Sequence, residues 1–444
     1  MSLTIKLLSI LEQELRNEAF VKRYKTHAKA FSRNRVLTMG TTILILVNKV
    51  SKSLGVEISK FLERLGKPVV SKQAFSKARY KLKAEAFSHL NELLVSSFYD
   101  SGDYRLYKDK YVLLSSDGTN FHLPWTEEMV AEFSMMDNGM GEQPKCFGKC
   151  LKIYDILNGL TLQTQLCKYE AAELNMFAQN WEELEGWLLP KIKDPVLLLA
   201  DMAYPAFWLI KMLNDSGVHF LFRCKKDYCA EVKAFVASGE SHTDLRLDMT
   251  KYGRKKKLKR MGFIQDFSDF PDFIELRIYR AKAESGKEAY LITCLPEEEV
   301  SNEELSALYD SRWGIKTSIH FDKNKIEIEN FAAKYPEGIR QEWQAATLSS
   351  NIAQLLINDA QEELDKQQLE KDNKYNYQIN KSVALGLVKD ELPRLLMGQD
   401  NYQAFYRRLI KLILRYREPI RPGRSFARRR KHKHKYPINM RRVT

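Results

Sequence analysis

The sequence predicts a mixed α/β fold, with a helical region before the core and a strand-rich piece set into it. Residues 1–100 carry apolar stripes with helical spacing, and we expect them to form a helical domain. Between residues 107 and 224, two adjacent strand segments are followed by strand–helix–strand units, which indicates a mixed sheet. Residues 225–295 return to short alternating strands, so we interpret them as an all-β insertion. The core resumes over 296–400, and a basic tail follows over 401–444.

The composition of the 444 residues is that of an ordinary globular protein, with 44% hydrophobic and 29% charged residues. It excludes collagen, a fully disordered chain and a coiled-coil rod, and the length leaves room for two or three domains. No apolar run approaches the ~20 residues of a membrane span, so we expect no membrane partner. The six cysteines lack CxxC pairs and zinc-type spacing, which favours reduced thiols and a cytoplasmic location.

The positive charge is concentrated at one end of the chain. Residues 407–444 contain fifteen Lys and Arg against one acidic residue, which accounts for the whole formal net charge of +14. A neutral body with such a tail is typical of a protein that binds a polyanion, and aromatic residues between the charges favour DNA over a merely solvated tail. Within the tail, we single out Arg428, Arg429 and Arg430 as DNA contacts.

A candidate DNA-reading unit lies inside the N-terminal region. An amphipathic segment over 57–65 ends at a Gly-Lys-Pro turn, and Ser71 is a plausible N-cap for a helix over 72–82. The second helix carries Lys72, Lys77 and Arg79, as the recognition helix of a helix-turn-helix would, so we interpret residues 1–100 as a helical DNA-binding domain. Any basic amphipathic helical hairpin would produce the same pattern, so this alternative stays open.

The predicted core begins with two strands joined by a hairpin turn at Asn158-Gly159. A buried strand, a helix and another strand follow the hairpin. Helical patterns return after the insertion, over 302–323 and 340–363. The predicted segments between the hairpin and the insertion are strands at 151–157, 160–167, 195–200 and 218–222, and helices at 170–189 and 206–215.

Two aspartates follow apolar strand segments of this core. Asp117 comes after Val112–Leu114, and Asp201 comes after Val196–Leu199. Strand ends are where α/β sheets usually present reactive groups, and carboxylates gathered there favour hard divalent cations. Either aspartate alone is more simply explained as a turn residue, so the hypothesis requires a third element.

The third element is a polar face on the predicted helix after the insertion. Six residues at steps of three and four share that face, and they are too polar for a core stripe. Their aromatic and cationic side chains are suited to holding phosphates. The residues are Tyr309, Arg312, Trp313, Lys316, His320 and Lys323.

These motifs together resemble the DDE transposases of the insertion-sequence family four, whose signature is Y-(2)-R-(3)-E-(6)-K. Tyr309, Arg312 and Lys323 stand at matching positions. The segments around Asp117 and Asp201 are similar to those of the first two family acids. The resemblance implies an RNase-H-like core, Asp117 and Asp201 as ligands of two Mg²⁺ ions, and strand transfer on double-stranded DNA at insertion-sequence ends. A homodimer that brings two DNA ends together is implied as well.

The sequence departs from the family signature at the third acid, where Lys316 replaces glutamate at the catalytic position. At an effective dielectric near 20, one unit charge about 4 Å away is worth ~4 kcal/mol, so an ammonium there disfavours a divalent ion. It can instead pair with an aspartate and stand in place of a metal. Among possible replacements, His320 is a poor Mg²⁺ ligand, and Asp322 and Glu327 lie on other helix faces.

Two hypotheses of different classes follow. In the first, the protein is a transposase that cleaves and joins DNA, with Tyr309, Arg312, Trp313 and Lys323 on the phosphates. In the second, it is a DNA-binding remnant of such an enzyme, inactive because of Lys316. A basic scaffold protein unrelated to transposition is a third alternative, but it requires the spacing of the signature to be accidental.

Overall fold

The computed structural model of the chain describes residues 2–33, 35–49, 53–136, 144–251, 253–260, 268, 270–282, 288–370, 374–397 and 401–421. The predicted DNA contacts Arg428, Arg429 and Arg430 lie outside these residues.

The N-terminal region is helical, as predicted. The side chain of Ser71 accepts a hydrogen bond from the backbone N–H of Ala74 at 3.2 Å, which confirms it as an N-cap. Gly66 adopts a left-handed φ of 60° in the turn before it, a conformation that glycine tolerates without strain. The helices are α1 (Leu3–Arg16), α2 (Glu18–Tyr24), α3 (Met39–Val47), α4 (Leu54–Arg64), α5 (Lys72–Arg79) and α6 (Glu85–Asp100).

The first part of the core contains the predicted hairpin and the strand–helix–strand units. Gly159 supplies the positive φ of 73° that the hairpin turn requires. The Asp155 carboxylate stabilises the same turn by accepting the backbone N–H groups of Leu157 and Asn158, each at 2.9 Å. The elements are β1 (Val112–His122), α7 (Glu127–Phe133), β2 (Met135–Met136), β3 (Lys145–Asp155), β4 (Thr161–Lys168), α8 (Glu173–Trp187), β5 (Val196–Ala200), α9 (Phe207–Asp215) and β6 (His219–Cys224).

The predicted all-β insertion contains helices as well as strands, so that interpretation is wrong in part. Two helices lie beside three strands, and one of the helices is formed by the Lys/Arg-rich segment Arg254–Arg260. An amphipathic pattern is weak in such short helices, which is why the sequence did not indicate them. The elements are α10 (Ala230–Ser238), β7 (His242–Asp248), α11 (Arg254–Arg260), β8 (Phe273–Lys282) and β9 (Glu288–Thr293).

The C-terminal part of the described chain is again mostly helical. A capping box starts its first helix, because Ser301 and Glu304 each bind the other's backbone N–H. The elements are α12 (Asn302–Ser311), α13 (Trp313–Asn324), α14 (Pro336–Leu369), β10 (Tyr377–Ile379), α15 (Lys381–Leu396), α16 (Tyr402–Leu414) and β11 (Arg417–Pro419).

The central sheet is mixed and runs through the strands of both halves. Its order is β2-β3-β1-β5-β6-β9-β8-β7. Strand β4 also pairs with β3, at the edge opposite β1. Strands β1, β5 and β6 are parallel neighbours, whereas β3 and β4 are antiparallel additions at one side. The strands of the insertion extend the same sheet, because β9 pairs antiparallel with β6. The insertion is therefore continuous with the core sheet.

Helices from both ends of the chain form one layer. Helix α14 packs against α3 and α6 from the N-terminal region and against α15 and α16 that follow it. One hydrophobic core continues from the N-terminal helices into one face of the sheet, while a second, smaller core lies under α12 on the other face. The boundaries of the five domains that the sequence suggests stay predictions. None of the helices in the described residues has the length and apolar composition needed to cross a bilayer.

Candidate active site

The register of the parallel strands brings the two predicted aspartates side by side. Strand β1 pairs with β5 up to Ser115 opposite Leu199. Continuing that register by two residues puts Asp117 opposite Asp201. Residues two apart on a strand share a face, so both aspartates lie on the face that carries the smaller core.

The prediction that both aspartates follow strand ends is correct for Asp201 and wrong for Asp117. Strand β5 ends at Ala200, and Asp201 begins a turn in which its Oδ1 accepts the backbone N–H of Ala203 at 2.9 Å. Strand β1 instead continues past Asp117 to His122, because β3 pairs with it along this length. Asp117 lies where β1 loses its β5 neighbour, which opens the sheet beside its carboxyl group.

The residues predicted to share one polar helix face are divided between two consecutive helices and the turn that joins them. Helix α12 ends at Ser311, Arg312 forms a turn, and α13 begins at Trp313. Tyr309 is buried against the smaller core. Its pKa is raised by burial and also by the nearby Asp201 carboxylate, while Arg312 opposes the shift.

Lys316 forms an ion pair with Asp117. Its Nζ lies 3.1 Å from Oδ2 and 3.4 Å from Oδ1, so one ammonium contacts both carboxylate oxygens. Burial raises the pKa of Asp117, and Lys316 opposes that shift, whereas the neighbouring Asp201 carboxylate adds to it. Lys316, which stands where the family-four resemblance implies a glutamate, is therefore the residue that contacts the first aspartate.

Arg312 provides a second cation at the same place. Arg312 is buried, with 5% of its surface exposed, and it lies close enough to Asp117 to lower the pKa of that carboxyl group. The guanidinium stacks near Tyr309 and Trp313, with its carbon 5.3 and 5.6 Å from the two ring centroids. Among the described residues, its Nε and Nη1 have no hydrogen-bond partner. A buried guanidinium with unused donors is suited to an anionic ligand.

Glu173 is a third carboxylate near the two aspartates, and the sequence did not indicate it. It lies against Gly118, on the face of the sheet opposite the Asp117 side chain. Its Oε1 accepts the backbone N–H of Gly118 at 3.0 Å and the hydroxyl of Tyr204 at 2.9 Å. It thus joins the segment after Asp117 to the segment after Asp201. Burial raises the pKa of Glu173, with both aspartates adding to the shift and Tyr204 opposing it. Only the tertiary fold places the start of α8 here, so no spacing rule would have indicated it.

Gly118 makes room for that carboxylate. A Cβ added at Gly118 would lie 2.5 Å from Oε2 of Glu173, which is a severe overlap. We therefore expect Gly118→Ala to destabilise the protein by about 1–3 kcal/mol, because the Glu173 carboxylate must leave its hydrogen bonds to Gly118 and Tyr204 to make room. The measurement is denaturant unfolding. The control is Gly186→Ala in α8, where an added Cβ meets nothing within 4 Å and helix propensity should give a small gain. Equal stability changes for the two variants would contradict the fitted contact.

The other predicted DNA contacts are distributed over the molecule. Lys323 Nζ donates to the carbonyl of Asn120 at 2.6 Å, so it lies further along β1 than Asp117. Burial lowers the pKa of Lys323, with nearby Glu329 opposing the shift. Lys72 and Lys77 are exposed on α5, in the helical layer. Trp313 is 55% exposed at the site itself.

The residues present do not fit two Mg²⁺ ions. Both oxygens of Asp117 face the Lys316 ammonium. Asp322, considered from the sequence as a replacement acid, bonds instead to Lys152 at 2.6 Å. Within the described residues, no group of three or more His, Cys, Asp or Glu side chains is arranged to hold a metal. The donor set is a carboxylate cluster with built-in cations.

Comparison with known proteins identifies the family. The solved structure of a piggyBac transposase synaptic complex with hairpin DNA is similar with a TM-score of 0.44 and 12% identity, covering 96% of this chain and 85% of that one. A comparison with curated proteins gives no match. The family model for the transposase DDE domain matches residues 111–352, which is more than half of the chain and includes both aspartates and the Arg312–Lys316 segment. The chain therefore belongs to the transposase DDE domain family.

Proposed function

We propose that this protein is a transposase that binds the ends of an insertion sequence and carries out cleavage and strand transfer on double-stranded DNA. The observation that carries the proposal is the convergence of Asp117 and Asp201 with the Arg312 segment, in a chain of the DDE family. The strand order β4-β3-β1-β5-β6 supports the RNase-H-like core that the family-four resemblance implies.

The proposed roles follow from charge and position. Arg312 and Lys316 would contact the backbone phosphate nearest the aspartates, because both cations lie beside Asp117. Tyr309 supports Arg312 through its ring face. Lys323, further along β1, would contact a neighbouring phosphate. Mg²⁺ stays the cofactor that the resemblance implies, although the residues present do not fit two ions.

A second candidate function is DNA binding without cleavage. The ion pair between Lys316 and Asp117 at 3.1 Å favours it, because an ammonium there opposes divalent metal binding. Incubation of the native protein with linear DNA carrying an insertion-sequence end, in Mg²⁺ or Mn²⁺, distinguishes the two. Cleaved strands support the transposase, whereas bound but intact DNA supports the second candidate. A failure to bind DNA at all would contradict both.

The basic tail should dominate the salt dependence of binding. The segment 421–444 carries ten Lys and Arg, and each phosphate neutralised contributes about 0.9 to the slope of log K against log salt. We expect deletion of 421–444 to reduce that slope by several units in fluorescence anisotropy with a fixed duplex. A matched control, the double variant Lys72→Gln with Lys77→Gln, tests α5 separately. It should reduce the slope by no more than about two units. An unchanged slope after the deletion would remove the tail from the interface.

The homodimer and the cytoplasmic location stay predictions from the sequence. All six cysteines are free in the structure.

A further inference from the structure

We infer that Arg312 and Lys316 form a phosphate-binding site that requires no divalent metal ion, so this protein binds DNA at its DDE site in a metal-independent way. The inference rests on the proposed DNA-binding function and deepens it by naming what replaces the metal. It is a property of this chain, since it depends on the lysine that departs from the family signature.

The first support is the position of the ammonium. Lys316 Nζ contacts both carboxylate oxygens of Asp117, at 3.1 and 3.4 Å, as a bound cation would. The lysine side chain is still 37% exposed, whereas that of Asp117 is 11% exposed. The ammonium has three donors, and Asp117 does not use all of them. The open side of Lys316 is therefore available to an anion.

The second support is independent of the first. Arg312 is 5% exposed, and its Nε and Nη1 have no hydrogen-bond partner among the described residues. Unused donors on a buried guanidinium are costly unless a ligand satisfies them. A phosphate oxygen is the acceptor that a guanidinium fork fits best.

The third support is that one side chain positions both cations. The exposed ring of Trp313 has the Arg312 guanidinium carbon 5.6 Å from its centroid and Lys316 Nζ at 5.9 Å. Cations held against an aromatic face lose little freedom on binding a ligand. The site is thereby arranged before DNA arrives.

The charges of the cluster agree with a metal-free site. Two carboxylates, Asp117 and Asp201, lie beside two cations, which leaves no formal net charge. With glutamate in place of Lys316, three carboxylates would lie beside one cation and leave two negative charges. The second arrangement requires added divalent cations before a phosphate can approach, whereas the first requires far less compensation.

The test measures duplex DNA affinity by fluorescence anisotropy, in EDTA and in Mg²⁺ at matched ionic strength. We expect the native protein to change by less than about twofold between the two conditions. Lys316→Glu should bind about tenfold to a hundredfold more weakly in EDTA, because it puts a carboxylate against the phosphate, and Mg²⁺ should restore most of that loss. Lys316→Gln removes the charge without reversing it, so its DNA affinity in EDTA should lie between those of the native protein and Lys316→Glu.

The matched control is Lys325→Glu, which makes the same charge change at an exposed lysine after α13. Its small loss should be equal in EDTA and Mg²⁺. Native binding that falls tenfold or more in EDTA would overturn the inference while leaving the proposed function intact. Native-like binding of Lys316→Glu in EDTA would also overturn it. Absence of DNA binding by the native protein in both conditions would overturn the inference and the proposed function together.

Discussion

The Lys316→Glu variant should cleave DNA ends in Mn²⁺ at least about a thousandfold faster than the native protein. The substitution removes an ammonium 3.1 Å from Asp117 and puts a carboxylate at the position where the family-four resemblance implies an acid. At an effective dielectric near 20, one such charge is worth about 4 kcal/mol, and each 1.36 kcal/mol is a factor of about ten. Reversing the charge should therefore raise the affinity for the metal more than a thousandfold, before any effect on the chemical step is counted.

The measurement separates metal binding from cleavage. Titration with Mn²⁺ should show binding to Lys316→Glu at concentrations about a thousandfold lower than the native protein requires, and the cleavage assay then uses the same DNA end for both. Adding Asp201→Asn to the variant should abolish the gain, whereas Lys325→Glu alone should give no gain over the native rate. Native cleavage as fast as that of the variant would contradict the electrostatic argument. Metal binding without cleavage would mean that the scaffold has a further defect.

The Glu342→Gln variant should lose about 3–5 kcal/mol of unfolding free energy, the largest stability effect we expect from one substitution. Glu342 is 5% exposed on α14, and its carboxylate is bonded to Arg79 Nη1 and Lys49 Nζ, both at 2.8 Å. It also accepts the backbone N–H groups of Ala332 and Ala333. The amide would leave two buried cations without their counter-charge.

The stability difference between the native protein and Glu342→Gln should depend on pH in a defined direction. Burial by itself raises the pKa of Glu342, but the two cations outweigh that effect and lower it to about 2. A carboxyl group with a lowered folded-state pKa stabilises the protein above its unfolded value near 4.5, and that contribution disappears as the pH falls towards 2. The difference between native protein and Glu342→Gln should therefore shrink over this range.

A matched control lies on the same helix. Glu363 is exposed on α14, so Glu363→Gln should change stability by no more than about 0.5 kcal/mol. Denaturant unfolding of the three proteins at pH 7 and near pH 3 measures both effects. A loss below 1 kcal/mol in Glu342→Gln, or a loss that does not depend on pH, would contradict the role assigned to this cluster.

The Glu342 cluster also shows why the sequence misjudged part of α5. Its basic residues indicate a DNA-reading helix, yet Arg79 turns inwards, is 2% exposed and bonds to α14. Lys72 and Lys77, on the other side, are exposed as a DNA contact requires. Helix periodicity separates these faces, but it does not tell which one packs, because the partner helix is about 260 residues away along the chain.

The insertion was misread for a related reason. Its strands β8 and β9 were predicted from alternation and are confirmed, whereas α10 and α11 were not foreseen. Short helices are stabilised mainly by tertiary packing, and packing is not visible in a local pattern. Pairing of β9 with β6, which makes the insertion part of the core sheet, is equally a long-range contact.

The sequence by itself determined the family, the two aspartates and the helix face that meets them, because strand and helix periods and the spacing of a signature are local properties. It also singled out Lys316, which stands where the family-four resemblance implies a glutamate. The tertiary structure alone decided that Lys316 pairs with Asp117, that Arg312 keeps buried donors unused, and that Glu173 joins the two aspartate segments. Charges interact through space over a few ångströms, and only the folded chain sets those distances.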